Sequence, residues 1–364
     1  MKSSPLSAIH TAFLAQDYGA ALQACLSTLL YEPTEAHSAL AYMPLLLQRL
    51  GLNRACLPLF AWQDGIFSLP RADRVGCHDD IGLVSVITVV KDLVAAGRMG
   101  MFLKMLDSVQ EQTWPQEKIE HLVVDGASTD GTPEFLERLL AEGKIQALVS
   151  KPDTGVYEAM NRGLCQARGD AMLFLNSDDA LEPQALELLV QGIVRQGVDY
   201  AYADVLRYDE SGEVVGTHVG NGRAVFFGTP YCHQTLLCRK RCYAVLRYDE
   251  HFQITEWPLC VKLHEMGFTA LHVPERLVRF RVGGKSCTGT PLAVEQRVIQ
   301  KYMAFRLGLD LEEYLSLAAC VRLKNLHRPL TETEENLLRK CQKHGTLAAR
   351  MFVNMCTLDR EQGS

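Results

Sequence analysis

None of the 12 cysteines falls in a Cys-x-x-Cys pair, so the chain offers neither the ligand spacing of a structural zinc site nor a thioredoxin-type redox pair. Cys232, His233, Cys238 and Cys242 crowd together without a usual ligand spacing; such thiols read as buried free cysteines of a reducing compartment. No apolar run reaches the roughly 18 residues of a membrane span, and no charged-apolar-small leader opens the sequence. Positive charge is not in excess: 37 Lys and Arg stand against 43 Asp and Glu, a net charge of -6, which argues against a protein that holds nucleic acid mainly by charge. These absences point to a cytoplasmic globular protein, at most peripheral to the inner face of a membrane.

What is present begins with length. The 364 residues exceed the roughly 250 to 300 at which a single core stops growing, so one main domain with appended pieces is expected. Residues 1–70 read as an N-terminal helical region, with a single tetratricopeptide-like run (Tyr18, Ala21, Cys25, Pro33) that suits either a packed collar or a protein partner. Residues 71–82 read as a linker. From 83 to 289 strand and helix signals alternate with short connections, the pattern of an α/β domain with a mostly parallel sheet covered on both faces. Strands are expected at 83–90, 119–124, 146–149 and 172–175, with helices between them. Beyond Gln196 the strands are expected to be shorter and antiparallel, with a hairpin at Asp209-Glu210-Ser211-Gly212. Residues 290–364 are again helical and more basic, which allows contact with anionic lipid, although a solvated helix face is the commoner outcome.

The strand 172–175 stops at Asn176-Ser177-Asp178-Asp179. In an open α/β sheet ligands bind outside the carboxyl ends of the strands, and carboxylates placed there suit a Mg²⁺- or Mn²⁺-type cation that also holds a diphosphate. Asp179 and Glu182 also have capping-box spacing, so helix capping alone would account for one such pair. Three earlier strands end alike: Thr88 with Asp92, Asp125, and Asp153 would line the same rim.

Four blocks in order, Ser85-Val-Ile-Thr-Val-Val-Lys-Asp92, His121-Leu-Val-Val-Asp-Gly-Ala-Ser-Thr-Asp-Gly-Thr132, Asp153-Thr-Gly-Val-Tyr-Glu-Ala-Met-Asn-Arg-Gly163 and Phe174-Leu-Asn-Ser-Asp-Asp179, resemble the family 2 glycosyltransferases of GT-A fold. Their spacing is similar to the branch that builds bacterial surface polysaccharides of colanic-acid and O-antigen type. The resemblance implies an inverting transfer from a nucleotide sugar, a UDP-sugar by expectation, to a glycan or lipid-linked glycan acceptor, with Mn²⁺ or Mg²⁺ as cofactor. It implies that Thr88 and Asp125 hold base and ribose with Asp92 and Asp153 close by, that Asp179 ligates the metal, and that Asp178 contacts sugar or backbone. Ser177 occupies the first position of the family's Asp-x-Asp element. Glu256 stands where the family places its general base, usually an Asp, with Asp249 and Glu250 as fallbacks. His233-Gln234 would face the donor diphosphate or the acceptor, and Arg281 and Lys285 would flank a Gly283-Gly284 loop over phosphate.

Transfer of a glycosyl group from a diphosphate requires stabilising negative charge on the leaving group and removing a proton from the acceptor hydroxyl. Carboxylates serving a cation, and another serving the acceptor, meet both needs. Gly284-Lys285-Ser286 is no P-loop, because Arg279 stands where its first glycine belongs. A sugar nucleotidyltransferase would need a glycine-rich basic loop after the first strand, and Val89-Val90-Lys91-Asp92 follows instead. A non-catalytic scaffold with a degenerate GT-A domain is the remaining alternative, kept open by Glu256.

Overall fold

The computed structural model describes residues 80–248, 256–265, 268–283, 307–323 and 331–344, with short pieces at 11–21, 61–68 and 296–304. The earliest strands, β1 (Ala61–Gln63) and β2 (Ile66–Ser68), pair antiparallel, within a stretch expected to be helical. The sequence carries Asp64-Gly65 between them, a strong short-range hairpin signal. The tetratricopeptide-like run lies mostly outside the described residues.

The main body is a nine-stranded mixed sheet, order β5-β4-β3-β6-β10-β8-β11-β7 with β9 paired to β8. Its first half is parallel: β3 (Val84–Val90), β4 (Ile119–Asp125), β5 (Ala147–Ser150) and β6 (Ala171–Phe174). Between them run α1 (Met99–Gln110), α2 (Thr132–Ala141) and α3 (Val156–Gln166). After the short β7 (Ala180–Leu181) and α4 (Ala185–Gln196) come β8 (Tyr200–Tyr208), β9 (Val214–His218) and β10 (Leu237–Arg239). Helices α5 (Lys240–Val245) and α6 (Glu256–Glu265) then lead to β11 (Ala270–Arg281). The hairpin over 209–212 forms as expected. The second half departs from expectation in two respects, since β8 and β11, with 9 and 12 residues, are longer than the 7-residue strands β3 and β4, and they pair parallel.

Alternation along the strands explains the two-sided core. Val84, Val86 and Val90 of β3 face one cluster with Phe102 and Met105 of α1, Leu136 of α2 and Leu189 of α4. Ile87 faces the other, with Met160 and Leu164 of α3 and Trp257 of α6. Gly163 permits that second contact, because a Cβ there would come within 2.6 Å of Ile87 Cγ2. Two further helices, α7 (Leu311–Leu323) and α8 (Glu332–His344), follow. Lys340 on α8 bonds both oxygens of Glu313, and Arg339 pairs with Glu335, so part of the basic character of this region is spent on neighbouring acids.

The direction of the strands places the site. β10 is antiparallel to both β6 and β8, so β6, β8 and β11 run the same way as β3, β4 and β5. Six carboxyl ends therefore share one edge.

Candidate active site

Three groups of side chains gather at that edge. The first joins the ends of β3, β4 and β5. Asp125 closes β4 with no exposed surface, accepting hydrogen bonds from Ser150 Oγ at 2.6 Å and from the Ser128 amide at 3.1 Å. Ser128 Oγ also bonds Asp125, and accepts from the Asp92 amide at 2.7 Å. Asp92 and Ala127 hold φ values of 50° and 57°, left-handed backbone that non-glycine residues adopt at a cost and that collects at functional sites. Asp153 lies against this turn: a Cβ on Gly126 would meet Asp153 Oδ2 at 2.5 Å and Lys91 Cδ at 3.2 Å. Burial raises the Asp153 carboxyl above its ordinary value, opposed by Lys91 and Arg162. Arg162 grips the same loop, donating to the carbonyls of Lys151 and Pro152 at 2.8 and 2.9 Å.

The second group joins β6, β8 and β11. After β6 the chain turns, with the Asp179 amide donating to the Asn176 carbonyl at 3.2 Å, and β7 then pairs antiparallel with β11. That pairing brings the Arg281 amide to Asp179 Oδ1 at 2.8 Å, while Asn176 Nδ2 donates to Oδ2 at 3.1 Å. The Arg281 guanidinium lies 3.5 Å from Asp178 Oδ2 and 2.9 Å from Glu210 Oε1. Tyr208, the last residue of β8, donates its hydroxyl proton to the Asp178 carbonyl at 2.7 Å. Asp179 is 2 % exposed, and burial, reinforced by Asp178, pushes its carboxyl up to about 8 against the bonds from Arg281 and Asn176.

The third group is aromatic. His233 stacks on Phe174, the residue that ends β6, at 5.4 Å and bonds the Tyr248 hydroxyl through Nε2. Tyr157, near the start of α3, stacks on Tyr248 with centroids 5.8 Å apart and donates to Glu256 Oε2 at 2.7 Å. Glu256 is the first residue of α6. Burial holds the His233 imidazole down at about 4, so it is neutral at pH 7.

The edge thus assembles Asp92, Asp125 and Asp153 in one group, Asp178, Asp179 and Arg281 in another, and His233 with Glu256 in the third. Thr88 does not reach it. Its side chain shares the α1 face with Val86 and Val90, has no exposed surface, and contacts His121 Nε2 at 3.0 Å and Met105 Sδ at 3.8 Å. A threonine so enclosed cannot hold a base or ribose, and that expectation is corrected here. Lys285, Asp249 and Glu250 lie outside the described residues. Tyr157, Asn176, Tyr208 and Glu210 were not foreseen; Tyr157 and Asn176 stand inside quoted motif blocks, whereas Tyr208 and Glu210 are marked only by their place at the end of a strand.

A divalent cation fits the second group on chemical grounds. Among the described residues no three His, Cys, Asp or Glu side chains gather as a ligand set, so those residues offer at most the two adjacent carboxylates. That is the donor set of a hard cation completed by phosphate oxygens and water. Asp179, with two of its roughly four lone-pair positions engaged, has acceptor capacity left, and its depressed acidity marks a buried carboxylate short of positive charge.

Residues 98–256 match the family model described as Glycosyl transferase family 2. Among curated relatives, glycosyltransferase AglE of Haloferax volcanii is 37% identical over 103 residues, 28% of this chain and 34% of that protein. A PGL/p-HBAD biosynthesis glycosyltransferase of Mycobacterium bovis is 30% identical over 163 residues, 43% of this chain and 62% of that protein. The matches span less than two thirds of these relatives. Solved structures that resemble the chain include S. aureus TarS 1-349 in complex with UDP-GlcNAc, at 16% identity and TM-score 0.49 over 74% of this chain and 84% of that one. The mannosyltransferase PcManGT of Pyrobaculum calidifontis, in complex with GDP-Man and Mn2+, matches at 17% identity and TM-score 0.46 over 92% of this chain and 96% of that one. No helix of the described residues is long and apolar enough to cross a membrane.

Proposed function

We propose that the chain is an inverting glycosyltransferase that moves a sugar from a nucleotide diphosphate, a UDP-sugar, to a hydroxyl of a glycan or lipid-linked glycan in surface polysaccharide synthesis. What supports this reading is the contact of Arg281 with Asp178 and Asp179, and Glu256 at the start of α6, in a chain whose residues 98–256 match the glycosyltransferase family 2 model. Relatives named as glycosyltransferases support the reaction class.

The residues then divide the work. The turn holding Asp92, Asp125 and Asp153 receives the nucleoside, Asp153 being the carboxylate at its mouth. Asp179, with Asp178, would hold Mn²⁺ or Mg²⁺, which when bound supplies Lewis-acid stabilisation of charge on the leaving diphosphate. Arg281 places its guanidinium beside these carboxylates, where it can pair with phosphate oxygens bidentately. Glu256 accepts the acceptor hydroxyl proton as that oxygen bonds the anomeric carbon from the face opposite the diphosphate. The carbon–oxygen bond to the diphosphate breaks, its electron pair leaves with the nucleotide, and the anomeric configuration inverts. Neutral His233, stacked on Phe174 and bonded to the Tyr248 hydroxyl, serves as a hydrogen-bonding group rather than as the base.

The test is a panel of nucleotide sugars with Mn²⁺, read as released nucleotide. Turnover of a UDP-sugar, lost in Asp179→Ala with folding intact, is the expected result. No turnover of any donor, or an Asp179→Ala protein as active as the parent, overturns the reading.

A further inference from the structure

We infer that Tyr157 is the positioning residue of the catalytic base: its hydroxyl fixes the Glu256 carboxylate, and it does so from the helix that carries the donor-binding loop. This rests on the reading of Glu256 as base, and the variants below separate the two.

The bond itself is short and between partly buried groups, Tyr157 Oη to Glu256 Oε2 at 2.7 Å. An O–H donated to a carboxylate stabilises the ionised form, which is the form a base needs, and restricts the rotation of a side chain with three free torsions. A glutamate in place of aspartate reaches about one methylene further and has that extra torsion to fix. The tyrosine is held through Tyr248. Its ring stacks on Tyr248 at an interplanar angle of 15°. Tyr248 is in turn pinned by both ends of the Asn161 amide, which donates to the Tyr248 carbonyl at 2.8 Å and accepts from its amide at 2.9 Å. Asn161 stands one turn beyond Tyr157 on the same helix, α3, so helix, clamp and hydroxyl form one unit.

The other end of that unit is the Asp153 loop. Thr154 donates both its amide and its hydroxyl to Glu158 Oε2 at 2.8 Å, and Arg162 pairs with Glu158 Oε1 at 2.7 Å while gripping the carbonyls of Lys151 and Pro152. Asp153 and Tyr157 are thus attached to one rigid turn of helix, four residues apart. A donor settling against Asp153 bears on the same element that aims the base, which joins donor occupancy to acceptor activation without a moving lid.

The experiment uses the full chain with Mn²⁺ and three probes, UDP-glucose, UDP-galactose and UDP-N-acetylglucosamine, with water as the acceptor and released UDP as the readout, and kcat expressed per UDP-binding site counted by calorimetry. Tyr157→Phe keeps the ring stack and removes only the hydroxyl. It is expected to lower kcat by ~10- to 100-fold, as misplacement of a catalytic group does, while donor KM and UDP affinity stay within about 2-fold of the parent. In a Glu256→Gln background the same change should cost nothing further, because two residues acting as a unit are non-additive. Full kcat in Tyr157→Phe, a parallel loss of UDP affinity, or an undiminished loss in the Glu256→Gln background overturns the positioning role. A fully active Glu256→Gln, or a parent inert toward all three probes, instead removes the base reading and this inference with it.

Discussion

Asp179→Asn should make the protein more stable while destroying its response to a divalent cation. In the chelated protein the Asp179 carboxyl titrates at about 8, against 3.8 in an unfolded chain. A carboxyl raised in this way contributes stability at low pH that is lost as pH rises from the unfolded value through the folded one. At pH 7 the native side chain is protonated and the unfolded one ionised, a separation of roughly 3 pH units at 1.36 kcal/mol each, or about 4 kcal/mol against folding. Asparagine escapes that penalty but turns an amide N–H toward one of the two donors, Arg281 or Asn176, where the protonated carboxyl still presents an oxygen, a loss of about 1 to 3 kcal/mol. The net expectation is a gain of about 1 to 3 kcal/mol in urea denaturation at pH 7 with chelator present. Between pH 6.5 and 8 the wild-type protein should lose about 2 kcal/mol relative to the variant from this group, the buried histidines contributing alike to both. Mn²⁺ should raise the unfolding midpoint of the wild type and leave the variant unmoved. A variant less stable than its parent, or a difference between the two that does not change over that window, refutes the argument that burial keeps the Asp179 carboxyl protonated.

Two further outcomes follow from the same geometry. Gly126→Ala would drive a Cβ to 2.5 Å from Asp153 Oδ2; UDP affinity should fall by about tenfold, equivalent to ~1.4 kcal/mol, with little change in circular dichroism, and unaltered UDP binding would separate Asp153 from the nucleoside. His121, His233 and His264 are each held down at about 4 by burial, so stability present above the ordinary histidine value is lost as pH falls toward 4. With each group contributing up to about 3 kcal/mol, denaturant midpoints should drop steeply between pH 6.5 and 4.5, and a flat profile there would mean these imidazoles are hydrated.

The parallel half of the sheet was legible because each strand is a short β-branched run that ends at a polar turn and is followed by a helical period. The observed bounds of β3 to β6 differ from the expected ones by a residue or two. The parallel pairing of β8 with β11 was not legible, since a twofold period carries no strand direction and β11 is broken by register shifts around Pro274. The β1–β2 hairpin was announced by Asp64-Gly65 and overridden by the helical pattern around it. Within the site, the acidic residues were found from their positions after strands. Thr88 was misplaced because its polarity outweighed its parity: with Val86 and Val90 it belongs to the α1 face. Arg281 was expected over phosphate, but its contact with Asp178 and Asp179 depends on the β7–β11 pairing, a long-range register that local patterns do not encode.

The most direct test of the metal-assisted nucleotide site is calorimetric titration of UDP into the full chain with Mn²⁺ and again with chelator. Binding that strengthens with Mn²⁺ and disappears in Asp179→Ala is the predicted result. UDP affinity indifferent to the cation and to Asp179 would contradict the assignment of the Asp178-Asp179 turn.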